Sequence, residues 1–82
     1  MHVTVVSPER AVFDGVADAV VAPAYDGQVG LLPGHAPFLT LLGTGVLAVR
    51  QGRASSRFTV AGGFLQVVDD AVRIVADRVD VA

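Results

Sequence analysis

Few side chains of this chain could do chemistry, and His35 is the most prominent of them. It lies in a loop between Pro33 and Pro37, with Gly34 directly before it. Proline fixes its own φ and glycine readily takes the positive φ of a tight turn, so this loop is predicted to be rigid. A rigid loop loses little conformational freedom when a partner binds, which favours a contact role for His35. The alternative is that the imidazole only hydrogen-bonds the turn backbone.

A catalytic role for His35 would need partners that the sequence does not supply. Ser7, His35 and one of the aspartates could be written as a hydrolytic triad, but no nucleophile elbow surrounds the serine. The second histidine, His2, stands near the chain start and is a poor metal partner for His35. The Asp69-Asp70 pair and Asp77 lack the spacing of a calcium loop. We therefore predict no catalytic residue and no metal site, with a small hydrolase that uses His35 as an alternative.

One segment formally matches a nucleotide-binding fingerprint. Residues 43–48 (GTGVLA) fit the pattern GxGxxG/A and follow a candidate strand. The residues that come next are typical of a strand and not of a helix, and the chain is too short for two mononucleotide-binding halves. A P-loop is excluded because it needs a lysine and this sequence has none. The sequence thus predicts no cofactor.

Length and composition favour one small domain. The chain has 82 residues, of which 52% are hydrophobic and 17% charged. A net charge of −2 provides no basic surface, which argues against nucleic acid as a partner. No apolar run approaches the about 20 residues of a membrane span, so no direct membrane insertion is expected.

Short valine-rich runs separated by turn residues indicate an all-β fold, because glycines interrupt every helical period. The Gln51-Gly52 and Asp69-Asp70 pairs each lie between two such runs and predict hairpin turns. The expected architecture of residues 1–82 is an antiparallel β-sandwich of two stacked sheets with roughly nine or ten short strands. The candidate strands are residues 3–7, 11–17, 19–24, 28–32, 38–42, 45–50, 55–60, 64–68 and 72–76.

Adjacent apolar pairs complicate a simple sandwich. Neighbouring residues of a strand point to opposite faces, so one member of each pair should point away from the core. Loops or bulges could cover these residues, or the outer surface could be buried against another protein, as in a fixed subunit of a larger assembly. The pairs are Val5-Val6, Val20-Val21, Leu31-Leu32, Leu41-Leu42 and Val67-Val68.

Several segments together resemble the N-terminal domain of the epsilon subunit of F-type ATP synthases. The resemblance covers essentially the whole chain in the family's order and spacing, so it is more specific than any single motif. The segments are residues 5–10 (VVSPER), 12–15 (VFDG), 20–23 (VVAP), 27–42 with the GHAP turn, 60–67 (VAGGFLQV) and 72–77 (VRIVAD).

This resemblance implies a non-catalytic subunit of the rotating central stalk, which joins the gamma subunit to the membrane-embedded ring of c subunits. The implied location is peripheral, at the cytoplasmic face of the bacterial plasma membrane. The alternative is a free-standing small β-sandwich module that binds some other protein and does not co-purify with gamma. The implied contact residues are Asp26, Gly27, Gln28 and Val29 for the polar loops of the ring, and Ser7 and His35 for gamma.

Members of this family usually continue into a pair of helices, through which many of them restrain ATP hydrolysis and some bind ATP. The present sequence ends at Ala82, just after the last candidate strand. By this resemblance we expect it to support the coupling of proton flow to ATP synthesis, without inhibiting hydrolysis and without binding ATP.

Overall fold

Eight strands joined by turns make up the whole molecule, and the computed structural model describes all 82 residues. Their valine-rich, alternating sequences suit pleated and half-buried surfaces. None of the elements is a helix of the length and apolarity needed to cross a membrane. The strands are β1 (His2–Val6), β2 (Ala11–Val16), β3 (Ala19–Ala24), β4 (Gly27–Leu31), β5 (Phe38–Leu41), β6 (Thr44–Gln51), β7 (Ala54–Val68) and β8 (Ala71–Val81).

The two longest strands, β7 and β8, take part in both layers of the fold. Up to Ala61, β7 pairs with β6 and with the end of β8, and β6 continues to β3 and β4. From Gly63 onward, β7 pairs with β5 and with the start of β8, which continues to β1 and β2. We use the name first layer for the group made of β1, β2, β5, the end of β7 and the start of β8. The two layers enclose one core of 17 buried residues, all apolar, which confirms the predicted all-β sandwich.

Gly62 and Gly63 form the bend in β7. Inward-facing residues of this strand have even numbers up to Val60 and odd numbers from Leu65 onward, so the face that meets the core changes at the glycines. Both have positive φ, 68° and 104°. A Cβ on Gly63 would lie 1.9 Å from the carbonyl oxygen of Val75 on β8, so only glycine fits there without moving the backbone.

The strand count differs slightly from the sequence-based expectation. Candidate strands 55–60 and 64–68 are one continuous strand, because the pairing of β7 with β8 keeps one register across the bend, from Ala61 with Arg78 to Gly63 with Ala76. The total is therefore eight strands, close to the nine or ten expected.

The pairing directions and turns also differ in detail. β1 and β8 run parallel, with Val3 opposite Val72, so the sheet is mixed and not fully antiparallel. The first hairpin turn consists of Gly52 and Arg53, one residue later than predicted, because Gln51 pairs with Ala54. The Asp69-Asp70 hairpin turn is confirmed.

Candidate protein-binding surface

An open apolar groove lies on the outer side of the first layer, where β5 meets β7. Leu41 pairs with Phe64 and Leu39 pairs with Gln66, so these side chains share the face that points away from the core. The groove encloses about 890 Å³. Its apolar lining consists of Tyr25, Phe38, Leu39, Leu41 and Phe64, and Asp26 lies at its rim.

One outward member of the apolar pairs noted in the sequence, Leu41, lines the groove. Leu42 is 5% exposed whereas Leu41 is 61% exposed, and Val67 is 1% exposed whereas Val68 is 43% exposed. The expectation that one member of each pair points outward is confirmed. The five pairs alone do not predict which side chains meet in the groove, because Tyr25 and Phe64 belong to none of them. The strand pairing of the structure is needed for that.

His35 lies at one rim of this groove. Its ring packs edge-on against Phe38, with the centroids 5.7 Å apart and the planes at 63°. Its Nδ1 lies 2.7 Å from the carbonyl oxygen of Ala36, so the hydrogen bond to the turn backbone that is the alternative role of His35 is present. The half-buried imidazole is therefore held locally while its ring adjoins the lining of the groove.

The predicted ring-contact segment, residues 26–29, lies at the opposite rim. Asp26 is in the turn between β3 and β4, and Gln28 is exposed near the start of β4. The backbone N–H of Tyr25 donates to the carbonyl of Leu41, 3.0 Å away, which places this turn beside the end of β5. His35 packs on Phe38 at the start of β5, whereas the ring-contact segment lies beside Leu41 at its end. The groove therefore lies between His35 and this segment.

Ser7 is far from His35 within the first layer. It follows β1, and its hydroxyl donates to the backbone oxygen of Arg10, 3.2 Å away. The loop of His35 is hydrogen-bonded to Asp70. Asp70 directly precedes Ala71, which pairs with His2 at the other end of β1. The two side chains implied for gamma are thus not brought together. The hydrolytic triad of Ser7 and His35 is wrong because these residues lie near opposite ends of β1.

A row of outward residues nevertheless connects the groove with the Ser7 end. Leu41 of β5, Phe64 of β7, Val75 of β8 and Val6 of β1 follow one another in register across the first layer. Val75 and Val6 are half-buried, and Ser7 comes directly after Val6. One continuous face therefore carries His35 at one end, the groove in the middle and Ser7 at the other end.

The other segments that the sequence singled out have structural roles. Residues 44–48 of the fingerprint-like segment belong to β6, a strand, and no helix follows them. The Nε2 atom of His2 is hydrogen-bonded to the carboxylate of Asp14 across the β1–β2 pair. One arrangement has no signal in the sequence: the Gly34 amide bonds the Asp70 carboxylate, although the two residues are 36 positions apart.

Curated relatives match nearly the whole chain. The ATP synthase epsilon chain of Leptospira borgpetersenii serovar Hardjo-bovis is 42% identical over 78 residues, which are 95% of this chain and 61% of the relative. The ATP synthase epsilon chain of Nostoc sp. is 46% identical over 79 residues, covering 94% of this chain and 58% of the relative. The chain thus spans about three fifths of the length of the curated relatives it matches.

Solved structures share the fold. A chain in the Euglena gracilis mitochondrial ATP synthase, in a structure of OSCP, F1 and the c-ring, superposes with a TM-score of 0.88 at 23% identity, covering 96% of this chain and 51% of that one. A chain in the central stalk and c-ring of the Tetrahymena thermophila mitochondrial enzyme gives 0.81 at 23% identity, covering 98% and 65%. The family profile described as "ATP synthase, Delta/Epsilon chain, beta-sandwich domain" matches residues 1–82, and the chain belongs to that family.

Proposed function

We propose that this chain is the sandwich domain of an epsilon subunit in the central stalk of an F-type ATP synthase. In that role it is non-catalytic and joins the gamma subunit to the ring of c subunits, at the cytoplasmic face of the bacterial plasma membrane. The names of its curated relatives support the subunit assignment. The geometry supports the contact roles.

The observation that carries the proposal is the continuous apolar face of the first layer. Tyr25, Leu39 and Leu41 are each more than 60% exposed and lie together in one groove. Removing apolar surface from water contributes about 25 cal/mol per Å², so covering this groove with a partner is favourable. Because His35 and Ser7 border the same face, gamma is the partner that we assign to it.

The ring contact lies beside this face and not within it. Asp26 directly precedes β4 and residues 27–29 begin it; β4 is the last strand of the sheet order and has one unpaired edge. Asp26 and Gln28 are exposed and polar, as suits contact with polar loops of the ring. The domain would then touch gamma through the first layer and the ring through the turn at the groove's far rim.

The sheet that links these contacts is continuous. β7 has 15 residues, β8 has 11, and both run through the two layers. A force applied at the β3–β4 turn would therefore be carried to the first layer by hydrogen-bonded strands and a packed core, which deform less than a flexible linker. This rigidity suits a subunit that transmits torque.

Size-exclusion chromatography of residues 1–82 mixed with a purified bacterial gamma subunit tests the proposal. We expect one stable complex that elutes before either protein alone. The alternative function, a free-standing module for another partner, predicts two separate peaks. A Leu41→Ser variant that loses the complex while folding normally would locate the contact on the apolar face.

A further inference from the structure

The loop that carries His35 makes a single hydrogen bond to the rest of the domain. Within residues 32–37, the His35 N–H donates to the Leu32 carbonyl at 3.2 Å, and the His35 ring bonds Ala36. These bonds set the local shape of the loop but not its position. The one hydrogen bond that leaves it runs from the Gly34 N–H to the Asp70 carboxylate, 2.8 Å away.

Asp70 is itself held firmly at the β7–β8 turn. Its φ is 59°, and its backbone oxygen accepts the N–H of His2 at 3.1 Å. The second oxygen of its carboxylate lies 3.7 Å from the amino group of Met1. One side chain therefore joins three segments: the start of β1, the β7–β8 turn and the loop of His35.

We propose that Asp70 is the positioning residue of the gamma contact. By accepting the Gly34 N–H, it holds the loop so that His35 stays packed on Phe38 at the rim of the apolar groove. The bond is charge-assisted, and such bonds are stronger and more directional than neutral ones. Without it, the loop keeps its internal turn but no longer has a fixed position relative to the groove. This inference rests on the proposed function, because it assigns the residue that orders the gamma-facing loop.

The neighbouring Asp69 provides a matched control. It lies in the same turn with a φ of 50°, and its carboxylate makes none of the hydrogen bonds or ion pairs of the structure. Glycine tolerates positive φ, so Asp69→Gly and Asp70→Gly both preserve the turn and remove one exposed carboxylate. Only Asp70→Gly removes the acceptor of Gly34. Asp70→Asn keeps an oxygen that can accept this bond and tolerates the same φ.

The test is calorimetric titration of purified gamma into each variant, at a temperature at which thermal melting shows the variant to be folded. We expect Asp70→Gly to bind about tenfold more weakly, the equivalent of about 1.4 kcal/mol, and Asp69→Gly to bind like the unchanged domain. We expect Asp70→Asn to restore most of the affinity. Equal affinities of the Asp69→Gly and Asp70→Gly variants would overturn the inference. If the unchanged domain itself does not bind gamma, the proposed function fails instead.

Amide hydrogen exchange of the unchanged domain tests the anchor without any variant. Gly34 is exposed, so its N–H should exchange at the unprotected rate unless Asp70 holds it. We expect exchange at least about tenfold slower than that rate, and faster exchange in Asp70→Gly but not in Asp69→Gly. An unprotected Gly34 amide in the unchanged domain would exclude a positioning role for Asp70, whatever the variants do.

Discussion

Leu41 and Phe64 face each other across β5 and β7 on the solvent side of the first layer, and they are 61% and 38% exposed. A cross-strand pair of this kind normally lies on the buried face, where both side chains leave water. Here their strand neighbours Leu42 and Leu65 are the buried ones. The first layer is therefore apolar on both faces at this point, as expected of a sheet with protein on both sides.

Replacing Leu41 with serine should weaken gamma binding and leave the fold intact. Since Leu41 is largely exposed in the free domain, we expect the free energy of unfolding to change by only about 0.5 kcal/mol. Gamma affinity should fall at least about tenfold, because apolar surface buried in the complex is lost. Val81→Ser is the control, since Val81 is 77% exposed at the end of β8, outside the first layer, and does not line the groove. Equal loss of affinity in both variants would contradict the assignment of the groove.

Replacing Gln28 with lysine should weaken attachment to the ring. The new charge must lose water in the contact without a known partner, which is unfavourable. Because Gln28 is exposed, the free energy of unfolding should stay within about 0.5 kcal/mol of the unchanged domain. Co-purification of the ring with a gamma–epsilon complex measures the attachment.

Thr59→Lys is the matched control for this charge. Thr59 is also exposed, but it lies on β7 opposite Asp80, and β6 and β3 separate β7 from β4. We expect this variant to attach to the ring like the unchanged domain. If Gln28→Lys unfolds the domain while Thr59→Lys does not, Gln28 has a structural role and the ring-contact assignment is wrong.

Replacing Gly63 with alanine should destabilise the domain far more than the same change at Gly52. At Gly63 the new methyl group would overlap the backbone of β8, and a φ of 104° is unfavourable for alanine. We expect the free energy of unfolding to fall by more than about 3 kcal/mol. Gly52 has a φ of 60°, and no atom other than those of its chain neighbours lies within 4 Å of the place that a methyl group would take there. The free energy of unfolding of Gly52→Ala should therefore fall by only about 1–2 kcal/mol. Urea denaturation of both variants measures the difference, and similar midpoints would show that the bend in β7 relaxes freely.

The same glycines show how far the sequence determines the fold. Alternation and turn residues predict the strands and the sandwich, because these signals are local. By the same local signals Gly62-Gly63 indicates a break between strands, yet the pairing with β8 continues across it. The parallel pairing of β1 with β8 joins distant segments and leaves no local signal. The bond between Gly34 and Asp70 likewise depends on the folded topology, so only the structure reveals it.

The domain of residues 1–82 should not bind ATP, because none of its concave surfaces provides a cationic site for a triphosphate. Arginine does not line the apolar groove, whose charged side chain is the carboxylate of Asp26. The smaller concavity beside Ser7 contains Arg78, but Glu9, Asp77 and Asp80 also line it, so its net charge is negative. Phosphate groups need backbone N–H groups or cations that converge on them.

Calorimetric titration of ATP into the purified domain measures this directly. We expect no saturable heat at micromolar concentrations of ATP, with gamma titrated into the same preparation as the positive control for a folded, binding-competent domain. Hydrolysis by an ATP synthase reconstituted with the domain should remain uninhibited, since the groove and the row of outward residues are assigned to gamma and not to the catalytic subunits. Saturable micromolar ATP binding, or inhibition of hydrolysis, would mean that the sandwich itself carries regulation.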